Sequence, residues 1–283
     1  MLIPLKEGEL YDYVDFAYTL ALDQTKSGYP IYSDGIKSKE DFIAAAKSSF
    51  SSNEEEILLF EHNGVIEGWI QYFWIPEDAY LQMSSCNINQ HTDIALNDFL
   101  TLVENKYTGY DFYLGFPKCN EAATSFLVRN GFDCIEDDYN DVIFFEEYNL
   151  LPESENIYRV TAENYDKFRY LHTKADDKMY WNSDRLLGKI SEWEIFVYHQ
   201  DANPTGAIYF KNEGTMLEIF GIDYADAVFR EDVYKELLIK ALNAGKTSGA
   251  KYMTFFNEEK SQLAALALGF RCVGQYACYL KKL

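Results

Sequence analysis

Asn120-Glu121-Ala122-Ala123-Thr124-Ser125-Phe126-Leu127-Val128-Arg129-Asn130-Gly131-Phe132-Asp133-Cys134 decides how the chain is read. The spacing predicts a short helix over Asn120 to Arg129, closed by Asn130-Gly131, with Gly131 suited to the left-handed residue that ends a helix. A counterpart stands far downstream. Leu268-Gly269-Phe270-Arg271-Cys272 lies against Asn130-Gly131-Phe132-Asp133-Cys134, behind a helix predicted over Ser261 to Leu268. A second match aligns Ile66-Glu67-Gly68-Trp69-Ile70-Gln71-Tyr72 with Pro204-Thr205-Gly206-Ala207-Ile208-Tyr209-Phe210. Self-similarity at half the chain length implies two equivalent folding units.

Outward from the motif, the first half reads as two helices, Glu9 to Gln24 and one from Ser38, an N-cap candidate with Asp41 three residues on. Ile57 to Glu61 and Val65 to Trp74 form a hairpin around Asn63-Gly64, and Ala79 to Met83 adds a third strand. A helix capped by Thr92 or Asp93 follows, then the strand Tyr110 to Phe116, the motif helix and the strand Val142 to Phe145. Leu150-Leu151-Pro152-Glu153-Ser154-Glu155-Asn156 is polar and proline-bearing, as a linker should be.

The order then repeats. Helices over Ala162 to Lys174 and Ser183 to Ile190 precede strands over Glu194 to His199, Gly206 to Phe210 and Met216 to Ile222. A turn at Asp201-Ala202-Asn203-Pro204 separates the first two strands. The helix Asp232 to Ala244, the strand Tyr252 to Phe256, the Gly269-Phe270 helix and the strand Cys272 to Leu280 complete the copy. The expectation is an α/β (α+β) protein of two tandem domains, 1–150 and 151–283. Each is a mixed, mostly antiparallel sheet flanked by helices.

The 283 residues are 48% hydrophobic and 17% aromatic, a core-forming composition with room for two domains. A net charge of -21 argues against nucleic-acid and anionic-membrane partners. The five cysteines lie far apart with no C-x-x-C pair, so neither a disulfide framework nor a zinc site fits. His62, His91, His172 and His199 are scattered, and no metal is expected. No basic start followed by an apolar run is present, and no segment approaches eighteen apolar residues, so the expected location is cytoplasmic. Gly-x-Ser-x-Gly and Gly-Lys-Ser/Thr motifs are absent, which removes the usual hydrolase and nucleoside-triphosphatase chemistries.

The element order with Gly-Phe before a final strand resembles the GCN5-related N-acetyltransferase superfamily, in tandem over nearly the whole chain. That family carries a segment similar to Asn-x-x-Ala-x-x-Phe-Tyr-x-x-x-Gly-Phe. Asn120, Ala123, Phe126, Gly131 and Phe132 fall on it, with Leu127 at the tyrosine. The second copy offers Glu258 or Asn257, Ser261, Gly269 and Phe270, with Ala265 at the tyrosine. The family's glycine loop, whose backbone N–H groups bind the coenzyme diphosphate, has as counterparts Asn89 to Leu96 and Arg230 to Glu236. Both lack glycine.

The resemblance implies acetyl transfer from acetyl-CoA to the amine of a small molecule or peptide, a cationic one included, by a protein that is a monomer or homodimer. Glu218 is the candidate base, on the strand where the family often carries a glutamate; the plain alternative is an outward-facing strand residue. Gln82 or Met83 stands at the comparable place in the first copy, which is expected to be non-catalytic. Phe220, Gly221 and Ile222 would hold the pantetheine arm, and Arg230, Asp232, Val233, Tyr234 and Asn257 complete the expected cofactor set. Tyr29 and Tyr32 in the first copy, and Met179, Tyr180 and Trp181 beside Asp176 and Asp177 in the second, would wall the acceptor site. A different class also fits: an acetyltransferase-like fold without catalysis, used for binding or interaction.

Overall fold

Leu58 and Phe60 face one buried core while Ile57 and Leu59 face another, so the hairpin's period of two places apolar side chains on both sides of a sheet that needs helices on both faces. A computed structural model describes residues 1–173, 180–201 and 203–283. The elements of the first half are β1 (Leu2–Pro4), α1 (Leu10–Ala21), α2 (Lys39–Ser49), β2 (Glu55–His62), β3 (Val65–Ile75), β4 (Tyr80–Ile88), α3 (Thr92–Lys106), β5 (Asp111–Pro117), α4 (Glu121–Arg129) and β6 (Asp133–Phe144). Those of the second are β7 (Ile157–Arg159), α5 (Asp166–His172), α6 (Ser183–Gly188), β8 (Trp193–Gln200), β9 (Asn203–Glu213), β10 (Met216–Tyr224), α7 (Glu231–Ser248), β11 (Tyr252–Asn257), α8 (Glu259–Ala267) and β12 (Arg271–Lys282).

Two compact units result, Met1–Asp138 with Gly274–Leu283, and Tyr139–Val273. In unit 1 the strands run β1-β2-β3-β4-β5, and the residues from Tyr276 to Lys282 of β12 lie antiparallel to β5. In unit 2 they run β7-β8-β9-β10-β11, and the residues from Tyr139 to Phe144 of β6 lie antiparallel to β11. Each unit is thus completed by a strand from the other half of the sequence. In both units β4 with β5, and β10 with β11, are the parallel pairs.

In unit 1, α1 and α2 pack on the face of Ile57, Leu59 and Trp69, and α3 and α4 cover the face of Phe60, Tyr72 and Phe112. Unit 2 repeats the layering. There α5 and α6 cover Ile195, Val197 and Tyr209, and α7 and α8 cover Phe210, Leu217 and Ile219. Ser38 and Asp41 form a reciprocal capping box at α2, and Asn63 (φ 52) and Gly64 (φ 80) make the left-handed hairpin turn between β2 and β3.

Some boundaries differ from the sequence expectations. The N-cap of α3 is His91, left-handed at φ 61 and without a side-chain cap, so neither Thr92 nor Asp93 caps it. Of the described residues 162–173 of the predicted Ala162 to Lys174, only Asp166–His172 is helical, because Thr161 and Asn164 close a local hydrogen-bonded turn ahead of it. Asn203 and Pro204 belong to β9, where Pro204 needs no N–H toward a neighbour. The three-residue strands β1 and β7 carry too few residues to show a period. Lys174, Asp176, Asp177, Met179 and Ala202 lie outside the described residues.

Candidate active site

In unit 2, β10 and β11 are paired from Met216 with Tyr252 to Ile219 with Phe255. Past that point β10 pairs with β9 alone, after a bulge at Phe220 between Ile219 and Gly221. A bulge adds a residue to one strand and bends it, and here it coincides with the parting of the parallel pair. Ala225 N–H donates to Thr205 O on the β9 side at 3.1 Å. Alternation then directs the N–H groups of Ile222 and Tyr224 to the opposite, open edge.

Helix α7 begins at the head of this gap. The N–H groups of its first turn have no intrahelical partner, and its N-cap, Arg230, provides no side-chain cap for them. The Tyr234 hydroxyl donates to Asn257 Oδ1 at 3.1 Å, tying that turn to the end of β11. Ser261 Oγ donates to the same oxygen at 2.6 Å, and Asn257 Nδ2 donates to Asp141 Oδ2 at 3.0 Å. All four residues are buried. Burial pushes the Asp141 carboxyl up to about 6 against the pull of its hydrogen bonds, and pushes the Tyr234 phenol upward as well.

The structure sorts the expected cofactor residues. Tyr234 and Asn257 meet; Phe220, Gly221 and Ile222 form the strand beside the gap. Gly221 is demanded by close approach, since a Cβ there would stand 2.5 Å from the Tyr209 hydroxyl. Phe220 packs edge-on against Trp193 at 4.8 Å. Arg230 is held by Asp226 at 2.7 Å. Asp232 is exposed, and Val233 is core, close over Gly206. Glu218 is half-buried two residues before the bulge, opposite Lys211 on β9 and Thr254 on β11.

Trp181 packs edge-on to Trp193 at 5.1 Å, and Tyr180 edge-on to Trp181 at 5.2 Å. Their faces are covered by the chain's own cations: Arg185 lies 4.2 Å from the Tyr180 ring, and Lys189 and Lys211 lie 5.7 and 5.9 Å from Trp181. Behind this wall is a group that sequence reasoning missed. His172 is fully buried, with Nδ1 2.7 Å from Asp223 Oδ2 and Nε2 2.9 Å from the Trp181 carbonyl oxygen. A carbonyl only accepts, so Nε2 carries a proton; with Asp223 ionised, Nδ1 carries one too. His172 then has no lone pair to offer as a base. The separation of 51 positions between His172 and Asp223 leaves no local signal for the pair.

Unit 1 holds the matching gap. Gly68 opposite Ile88 corresponds to Gly206 opposite Tyr224, and the bulge at Ser84 corresponds to that at Phe220. Gln82 therefore corresponds to Glu218. The β4–β5 pairing ends at Gln82 with Tyr113, but here the gap is filled. Ile88 N–H donates to Lys26 O at 2.8 Å, and Asn120 Nδ2 donates to Ser27 O at 3.1 Å. A Cβ on Gly28 would stand 3.3 Å from Cys86 N and 3.5 Å from Gly115 O, so the segment lies between the two strands. Tyr29 packs edge-on to Tyr276 at 5.7 Å, and Tyr32 is packed among Tyr18 and Phe42 in the α1–α2 core. Both tyrosines are packing residues of unit 1.

Elsewhere in unit 2 a pocket lined by Arg159, Glu194, Phe210 and Leu217 lies beside the start of β10, away from the gap, with Arg159 bound to Glu194 at 2.5 Å. Among the described residues no cluster of His, Cys, Asp and Glu could hold a metal ion, and no helix is long and apolar enough to cross a membrane.

For acetyl-CoA, the coenzyme that the resemblance implies, unit 2 would offer different surroundings to the two halves. The open edge of β10, with Asn257 at its side, fits the amides of a pantetheine arm. At the head of the gap Glu231 and Asp232 occupy the first turn of α7, and Glu258 and Glu259 begin α8. Arg230, Lys235 and Lys260 are each ion-paired, with Asp226, Glu231 and Glu258 at 2.7, 2.6 and 2.5 Å. That is poor ground for a diphosphate.

No family model matches the chain, and no curated protein matches it in sequence. Solved structures do match. A GCN5-related N-acetyltransferase from Sphaerobacter thermophilus superposes with a TM-score of 0.66 at 11% identity, covering 100% of this chain and 95% of that one. A GCN5-related N-acetyltransferase from Kribbella flavida gives 0.56 at 11% identity, over 84% of this chain and 93% of that one. A tandem GNAT protein from the clavulanic acid biosynthesis pathway gives 0.54 at 9% identity, over 100% of this chain and 98% of that one. The chain has the tandem fold of the GCN5-related N-acetyltransferase superfamily.

Proposed function

We propose that unit 2 transfers an acetyl group from acetyl-CoA to the amine of a small molecule or peptide. The observation that carries this is the difference between the two gaps. In unit 2, β10 parts from β11 just past Glu218 and keeps the Ile222 and Tyr224 N–H groups on an open edge, whereas in unit 1 Lys26 and Ser27 fill the gap and Gln82 replaces the glutamate. Glu218 takes the proton from the attacking ammonium, directly or through water, and a backbone N–H past the bulge polarises the thioester carbonyl. The C–N bond forms as the C–S bond breaks; the new amide nitrogen gives up its remaining extra proton and the departing thiolate takes one from water, since Ala265 stands where a tyrosine would supply it.

A second reading, a binding module without turnover, draws on that missing tyrosine and on the acids around α7. Single-turnover assays with acetyl-CoA and a panel of amines, on wild type and Glu218→Gln, decide between them. Acetyl transfer that falls at least about tenfold in Glu218→Gln, with donor binding kept, supports the enzyme. Donor binding with no transfer to any amine supports the binding module.

A further inference from the structure

Tyr224 ends β10 at the head of the gap, with 8% of its surface exposed and its hydroxyl without a hydrogen-bond partner among the described residues. Its ring lies edge-on to Phe229 at 6.3 Å, and Phe229 in turn packs on Tyr234 at 5.6 Å, in the first turn of α7. Burial, with Glu258, Asp223 and Asp232 nearby, pushes the phenol upward and keeps it protonated. A buried hydroxyl left unpaired costs free energy that a ligand accepting its hydrogen bond would recover. The phenol, near Asp232 at the start of α7 and Glu258 at the start of α8, and the N–H groups of Ile222 and Tyr224 on the open edge stand together at the head of the gap as donors.

A neutral acceptor suits these donors better than a phosphate does. Six acids, Asp223, Asp226, Glu231, Asp232, Glu258 and Glu259, stand in this region, against Arg230, Lys235 and Lys260. Those three cations are each already paired. A diphosphate would have to break such pairs to gain a contact. The amide carbonyls of a pantetheine arm carry no charge and accept from N–H and O–H alike.

We propose that unit 2 recognises its acyl donor through the pantetheine arm, with the Tyr224 hydroxyl donating a hydrogen bond to it, and that the diphosphate contributes little to binding. This rests on the assignment of unit 2 as the donor site. The donors accepted would then include phosphate-free acyl-pantetheine thioesters.

Calorimetric titration of the full chain with acetyl-pantetheine and with acetyl-CoA tests this, on wild type and on Tyr224→Phe. The two dissociation constants should agree within about threefold, and that for acetyl-CoA should change less than about twofold between roughly 50 and 300 mM NaCl. Tyr224→Phe should weaken both by about tenfold while leaving thermal stability unchanged or higher, because only an unpaired hydroxyl is removed. Acetyl-CoA binding more than about tenfold tighter than acetyl-pantetheine, or weakening steeply with salt, would overturn the inference and leave the donor site standing. Equal binding by Tyr224→Phe and wild type would also overturn it. Binding of neither thioester would remove the donor site itself, and this inference with it.

Discussion

The side-chain amide of Asn120 donates to the carbonyl oxygen of Ser27 at 3.1 Å, and so fastens a segment of the chain into the gap between β4 and β5. The same side chain caps α4, accepting from Ala123 N–H at 3.3 Å. Asn120→Ala should therefore lose a cap and a buried hydrogen bond, about 1–2 kcal/mol in urea unfolding. With Ile88 N–H still bound to Lys26 O, the segment stays in place. Calorimetry should then report one donor site per chain in wild type and variant; two sites would show that the segment yields to ligand.

Gly115 lies beneath Tyr276, so closely that a Cβ there would stand 1.6 Å from the hydroxyl and 2.1 Å from the ring. Nothing flexible can give way, because the clash includes the ring itself. Gly115→Ala should cost about 1–3 kcal/mol or more by overpacking. Gly109 (φ +87), with nothing within 4 Å of an added Cβ, supplies the contrast: Gly109→Ala should cost only the strain of its left-handed backbone, about 1 kcal/mol. Adding Tyr276→Leu to Gly115→Ala should recover part of the loss. A Gly115→Ala variant as stable as wild type would mean that the ring lies elsewhere in solution.

His172 donates from both ring nitrogens when Asp223 is ionised, to that carboxylate and to the Trp181 carbonyl. Its ring also stacks on Phe168 at 5.0 Å. His172→Ala leaves a partly buried carboxylate and a carbonyl without their donor, and should cost about 3 kcal/mol. Asp223→Asn keeps an acceptor for Nδ1 and should cost clearly less. Equal losses in the two variants, measured by chemical unfolding, would argue that stacking and not the pair holds His172.

What could be read from the sequence followed locality. Asn63-Gly64, Ser38 with Asp41, and Gly131 each obey a rule that spans four residues or fewer, and each stands where that rule puts it. The strand period predicts which faces are buried, but it cannot say which neighbour a strand will pair with. Tyr276 to Leu280 is an unbroken apolar run beside β5, and would be equally so beside β11. Thr25 to Pro30 carries the breakers that end the first helix, and nothing in it announces a path between two strands. At the candidate site, Tyr234 and Asn257 were reached from the family pattern. Arg230 and Asp226 are only four residues apart but lie ahead of α7, where no helical period marks the pair; the His172–Asp223 pair depends on tertiary placement and leaves no trace in spacing.

Asp141 has a consequence for stability that pH can expose. It is fully buried on β6, and burial raises its carboxyl from 3.8 to about 6 although Asn257 Nδ2 donates to Oδ2. The folded protein therefore holds this proton more tightly than the unfolded chain, whose aspartates titrate near 3.9. Such a group contributes stability that is fully present below about pH 4 and is lost as pH rises through about 6. Asp141→Asn keeps an acceptor oxygen toward Asn257 and cannot ionise. The stability of wild type relative to Asp141→Asn, from urea unfolding, should fall by up to about 3 kcal/mol between about pH 4 and pH 7. Other titrating groups are common to both proteins and cancel in the difference. A difference that stays flat across this range would mean that Asp141 is ionised and solvated in the folded protein, and that the chain of hydrogen bonds from Tyr234 through Asn257 ends at a charged carboxylate.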